Sequence, residues 1–285
     1  QITWGDFACE QYGDASVAFK EINDSYDVIT IDYVVSHVTD SGETEYYNVE
    51  EYFRLRPTDT RMYVLNYERT MNQIFNSENS FAKDPTNIML GIRDGSVEYK
   101  TNEAENVVAF VQQGDLFSYN QTNNELTKVF SFRSPEGIDI RENWNQHDIK
   151  IVSVDEAGSI DFIVYGYMNR GNHEGEVGTC VYHYDGLAHT IEEEAFIPSR
   201  SSYEVLKAEM GKLLYVNENG ILYLMFEGNV YEIKLDSLKV EKIVKNLEAG
   251  CYATSYDNQY FSWVDVDSQY STTELSVMNL KTKEV

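Results

Sequence analysis

The chain has 285 residues, enough to bury a sizeable core without disulfides or a structural metal. Its 22 Tyr and 13 Phe, with only 4 Pro and few long Ala/Leu/Glu/Lys stretches, favour strands over helices. Against 48 Asp plus Glu stand 22 Lys plus Arg; the net charge of −26 repels phosphate backbones and anionic lipid headgroups, which argues against nucleic acid and membrane surfaces as partners.

Taken in chain order, the segments repeat one device, a short polar turn followed by an apolar strand. Asn23-Asp24-Ser25-Tyr26 precedes Val28–Ile31, and Asn102 to Asn106 precedes Val107–Phe110. Asp155-Glu156-Ala157-Gly158 leads into Ile160–Val164, Asn217-Glu218-Asn219-Gly220 into Ile221–Leu224, and Asp257-Asn258 into Tyr260–Trp263. Asn, Asp and Gly suit such turns, because they tolerate left-handed backbone and their side chains bond nearby amides. A second hairpin follows each first one. Its clearest copies are Leu116–Asn120 with Leu126–Phe132 and Val230–Lys234 with Val240–Val244. Weaker copies are Val181–Asp185 with Ile191–Phe196 and Met62–Asn66 with Ile74-Phe75, and Leu275–Asn279 begins another.

Two stretches depart from this pattern. Residues 27–77 predict long strands, Val28–Val38 and Tyr46–Leu55, around a hairpin tip at Thr39-Asp40-Ser41-Gly42. Within them Arg61–Asn76 also fits a helix, since Met62, Leu65, Met71 and Ile74 fall near helical spacing. The other is an inserted loop, Asn169–Gly178, inside the third unit.

Two hairpins per unit and about five units resemble the blades of β-propeller proteins across nearly the whole chain. The expected fold is therefore an all-β single domain over residues 1–285: a β-propeller of about five four-stranded blades, with six, or part of a larger ring, as alternatives. The segment Ile2–Ala8 is expected to complete the last blade. The resemblance lies in architecture alone, for no Trp-Asp dipeptide closes a unit and no kelch double glycine occurs. Ser153–Gly158 is similar to the Asp-box turn of sialidase-like propellers, but it is one residue too long and lacks the Trp, so no sialidase residue carries over.

The densest chemistry lies in Arg170, His173, Glu174 and Glu176 of the inserted loop. These side chains suit ligand binding, although His-Glu-x-Glu matches no metal spacing and a Gly-rich loop needs no metal. Trp263 and Asp265 are further ligand-binding candidates, an aromatic face beside an acid. Asp161, Asp265 and Asp267 are candidate acids for a glycan hydrolase, set against a background of many solvated carboxylates. The histidines lie outside any nucleophile-elbow sequence, and phosphate-binding loops are absent. Asn23-Asp24-Ser25 and Asn120-Gln121-Thr122 match the glycosylation triplet at a frequency chance allows. Cys9, Cys180 and Cys251 read as free thiols, with one disulfide as the alternative.

The chain opens on Gln1 and closes inside a strand-like pattern, as expected of a piece of a longer secreted or envelope-anchored protein at the cell surface. No apolar run reaches membrane-spanning length, and no cofactor is implied. The expected function is non-catalytic recognition of a protein or glycan ligand through loops at one mouth of the ring. A funnel-carboxylate glycan hydrolase and a structural spacer are the alternatives.

Overall fold

A computed structural model describes residues 3–76, 79, 82–84, 87–89, 97–133, 141, 144–217, 219–235, 237, 239–248, 250–267 and 272–285, without the side chains of 82–84, 265–267, 272 and 273. Contacts gather the chain into two compact units, Gln1–Val97 and Glu98–Val285.

The first unit is a meander of β1 (Glu10–Ile22), β2 (Asp27–Val38), β3 (Thr44–Pro57) and β4 (Met62–Ile74), followed by a short ribbon of β5 (Ala82–Asp84) and β6 (Asn87–Ile88). The turn at Asn23 forms because its Oδ1 accepts the Ser25 and Tyr26 amides, both at 3.1 Å. At the expected tip, Gly42 adopts φ 86° and its amide reaches the Thr39 carbonyl. The helical reading of 61–76 gives way to strand. β4 pairs with β3 from Met62↔Pro57 to Ile74↔Tyr46, and Met62, Leu65 and Met71 are exposed instead of forming a buried stripe. The inward residues instead follow period two: Tyr67 and Arg69 share one face and meet Glu51 of β3.

Glu51 is the polar centre of this unit. Its Oε1 accepts from Tyr67 Oη at 2.8 Å, Tyr33 Oη at 3.1 Å, and Arg69 Nε and Nη2 at 2.8 and 2.6 Å. Burial pushes its pKa up, but the bonds from Tyr67, Arg69 and Tyr33 outweigh that and hold it below the usual glutamate value. The Arg69 guanidinium lies 4.1 Å over the Trp4 ring. Trp4, Phe7 and Cys9 pack against Val35, Tyr47 and Val49. Residues 3–9 form no strand, so this segment packs on the first unit's own sheet and does not complete the last one.

The second unit repeats a smaller sheet. β7 (Tyr99–Thr101), β8 (Val107–Gln112), β9 (Asp115–Asn120) and β10 (Glu125–Phe130) form one. The next consists of β11 (His147–Val154), β12 (Ile160–Tyr167), β13 (Val177–Asp185) and β14 (Thr190–Pro198). After the short helix α1 (Tyr203–Glu209) come β15 (Leu214–Val216), β16 (Ile221–Phe226), β17 (Asn229–Lys234) and β18 (Lys239–Val244). A three-stranded sheet of β19 (Tyr252–Thr254), β20 (Tyr260–Asp267) and β21 (Thr272–Asn279) follows.

These sheets stack through both faces. Ile160, Phe162 and Val164 of β12 enter the core shared with Ala109, Val111 and Leu116 of the preceding sheet. On the opposite face Ile163 and Tyr165 meet Leu222, Leu224 and Phe226 of the following one. β16 divides its side chains in the same way, for Ile221, Tyr223 and Met225 pack with Phe261 and Trp263. This is the blade packing of a β-propeller, built on apolar faces that a lone sheet could not cover. The described residues hold four four-stranded sheets, one three-stranded sheet and the two-stranded β5–β6 ribbon, with the first four-stranded sheet and the ribbon in the N-terminal unit. All three cysteines are free, and only Cys180 is fully buried.

Capped turns set the ends of the sheets. Asn102 Oδ1 accepts the Asn106 and Val107 amides at 3.0 Å, and Asp155 Oδ1 accepts those of Ala157 and Ser159 at 2.9 and 2.7 Å. Asn217 Oδ1 takes the Asn219 and Ile221 amides at 3.0 and 3.1 Å, while its Nδ2 donates to the carbonyl of Leu280, just past the last strand of the next sheet, at 3.1 Å. Asn217 is only 4% exposed, so Asn217→Ala strands buried backbone groups and is expected to cost about 1–3 kcal/mol. Asn23→Ala, in a solvated turn, is expected to cost clearly less. Urea unfolding midpoints of the two variants measure the difference, and equal losses would contradict the assigned role of Asn217.

Candidate functional site

The inserted loop joins β12 to β13 at one end of their sheet and closes on itself. Met168 donates to the Glu176 carbonyl and Gly175 to the Met168 carbonyl, each at 2.9 Å. Gly171 and Gly175 adopt φ 94° and 90°, which other residues rarely tolerate. Buried Asn169 ties the loop base to the preceding linker through the Trp144 carbonyl, at 2.8 Å.

Ion pairs organise the predicted residues into two groups. Glu174 lies between arginines, 2.6 Å from Arg141 Nη1 and 3.7 Å from Arg170 Nη1. His173 points the other way. Its Nε2 is 2.9 Å from Glu193 Oε1, its Nδ1 3.5 Å from Glu176 Oε1, and its ring stacks on Phe196 with centroids 3.7 Å apart. Arg170, His173, Glu174 and Glu176 are thus brought together, but the His and the two Glu do not converge on one point. Among the described residues no group of three or more His, Cys, Asp or Glu side chains could hold a metal.

Trp263 sits apart from the loop, in the core between the fourth and fifth sheets, 8% exposed with Phe261 stacked at 5.8 Å. Packing occupies its ring. The side chains of Asp265 and Asp267 lie outside the described residues. Arg141, Glu193 and Phe196 are the site members that the sequence hid, because each comes from another segment and shares no spacing motif with the loop.

A second polar cluster crosses the third sheet. Ser153, Asp161 and His183 are register neighbours on β11, β12 and β13. Ser153 Oγ donates to Asp161 Oδ2 and His183 Nδ1 meets Asp161 Oδ1, both at 2.7 Å. The carboxylate therefore receives both partners, and the serine hydroxyl is directed to the acid instead of the imidazole that a nucleophilic triad would require. Burial lowers the His183 pKa, but its bond to Asp161 and the surrounding acids outweigh this and raise it.

Glu194 joins this cluster because β14 carries an extra residue where its register with β13 shifts between Val181 and Tyr182. Burial, with the charges of Asp161 and Glu192 and against that of His183, pushes its carboxyl up from 4.5 to about 7. A raised carboxyl pKa means that the fold prefers the protonated form. Its stability contribution is complete below pH 4.5 and is lost as pH rises toward 7. Glu194→Gln is expected to leave the melting temperature unchanged near pH 4.5 and to raise it by a few degrees at pH 8. Calorimetry at the two pH values checks this, and a lower melting temperature at pH 8 would show that the ionised carboxylate is no burden.

No protein-family model and no curated protein matches the chain. Among solved structures it is similar to the tricorn protease, at 10% identity and TM-score 0.38, covering 93% of this chain and 30% of that one. It is also similar to a puromycin-hydrolyzing peptidase of Mycobacterium tuberculosis, at 10% identity and TM-score 0.40, covering 98% and 46%. For an oligogalacturonate lyase of Vibrio parahaemolyticus the values are 9% identity, TM-score 0.30, and 95% and 85% coverage. The chain spans less than half the length of the first two.

Proposed function

We propose that this chain is a non-catalytic recognition module of propeller type, which presents the loop of residues 169–176 to a protein or glycan ligand. The observation that carries this reading is the loop's fixed shape. Arg141 and Arg170 hold Glu174, while Glu193 and Phe196 hold His173, so little ordering cost remains when a partner docks. Arg170 and Glu176 keep 33% and 54% of their side chains in solvent, available to a ligand. Loops held by a sheet scaffold are common sites of recognition. The net charge of −26 favours neutral or basic partners over nucleic acid. Among the described residues no helix is long and apolar enough to cross a membrane.

The module belongs, on this proposal, to a longer secreted or surface-anchored protein and works without a cofactor. Asp161, one of the acids a hydrolase reading would use, is already engaged by Ser153 and His183, so no observation favours that alternative.

Binding of the whole chain to a glycan array and to a panel of defined basic and neutral peptides tests the proposal. A ligand is expected whose affinity falls at least tenfold in the Arg170→Ala, Glu176→Ala double variant, with an unchanged melting temperature. Binding indifferent to that variant, or no binding to any member of either panel, would overturn the loop's role.

A further inference from the structure

At the opposite end of the third sheet from the inserted loop, the second and third sheets part. The core they share is apolar, filled by Ile160, Phe162, Val164 and Leu116. Beyond that core the two sheets leave a cleft of about 210 Å³ lined by both polar and apolar groups. Ser118, Asn123, Glu125 and Thr127 line it from the second sheet, with Tyr184 and His189 opposite.

These groups are held in place. Tyr184, 4% exposed, has its hydroxyl 2.7 Å from His189 Nδ1 and also hydrogen-bonded to Thr127. His189 adopts φ 54°, a left-handed conformation uncommon for a residue other than glycine, and its Nε2 stands 4.0 Å from Glu125 Oε1. Ser118 is 7% exposed. Backbone completes the wall, for Gly186 lies so near Gly158 that a Cβ there would meet the Gly158 carbonyl carbon at 2.4 Å. No side chain can fill the space from that position.

The lining contains hydroxyls, the amides of Asn120 and Asn123, an imidazole and one carboxylate beside the apolar Val107, Ala157 and Leu187, with no Lys or Arg. No lysine or arginine there would neutralise a phosphate or sulfate, and the Glu125 carboxylate would repel one. Hydroxyls and amides can both donate and accept, the pairing that a ring bearing several hydroxyl groups demands. The volume equals the share of about seven waters in the liquid, which suits one small ring and is below the usual size of drug-sized ligand sites. The geometry points to a binding site for a single sugar ring, neutral or carrying an amine that faces Glu125. This site is separate from the inserted loop and does not depend on the function proposed for it.

Saturation-transfer NMR of the whole chain with glucose, galactose, N-acetylglucosamine and glucosamine, each at millimolar concentration, tests the assignment; the matching methyl glycosides show whether a ring within a chain is also accepted. Transfer to at least one sugar is expected. It should weaken at least fivefold in the exposed Asn123→Ala, Glu125→Gln double variant and in Ser118→Leu, which fills the cleft, while Lys239→Ala, on the exposed side of β18, leaves it unchanged. The double variant alone decides should Ser118→Leu fail to fold. No transfer to any sugar, or transfer equal to that of the parent in the double variant, would overturn the site.

Discussion

A short antiparallel sheet with apolar residues on both faces cannot be stable in water, and the second unit is arranged around this constraint. In Ile221–Phe226 all six side chains are buried, alternate ones entering the core on each side. Each fully buried aliphatic or aromatic residue contributes about 1.5–3 kcal/mol relative to exposure, so neither face can be left open without loss. Stacking satisfies both faces at once. It also drives polar side chains off the buried central strands, to the strand ends and to outer strands such as β18.

That displacement explains the two polar regions. The inserted loop extends from one end of the third sheet and is fixed by charges from other segments; the cleft lies between hairpin ends at the other. The Ser153, Asp161, His183 and Glu194 cluster differs, because it lies across strands, on the face that carries Ile163 and Val181 into the core shared with the fourth sheet. A serine, an acid and a histidine in register look catalytic in outline. Their hydrogen-bond directions instead describe a carboxylate held by its neighbours beside a glutamate that favours protonation.

Much of this fold was legible from local chemistry. Asn102, Asp155 and Asn217 announced their turns because the capping bonds reach only a few residues along the chain. The strand of residues 62–74 was ambiguous, since Met62, Leu65, Met71 and Ile74 mimic helical spacing; pairing with β3 decided it, and pairing is not encoded in spacing. The same limit applied to the expected last-blade strand near the N-terminus, whose Trp4 and Phe7 pack on the core of the first unit's own sheet. In the loop, the sequence identified Arg170, His173, Glu174 and Glu176. It could not show that Arg141 and Glu193 would draw them into separate pairs, because those partners arrive through tertiary folding.

Some turn caps also belong to two sheets at once. The Asn102 amide reaches Glu156 in the next sheet at 2.9 Å, and the Asn217 amide reaches Leu280 across another boundary. A group that closes its own hairpin while bonding the neighbouring sheet makes the two melt together more readily than apolar contact alone would. Damage to one blade is thereby transmitted to the adjoining turn, and the array gains cooperativity from a few amides at its rim.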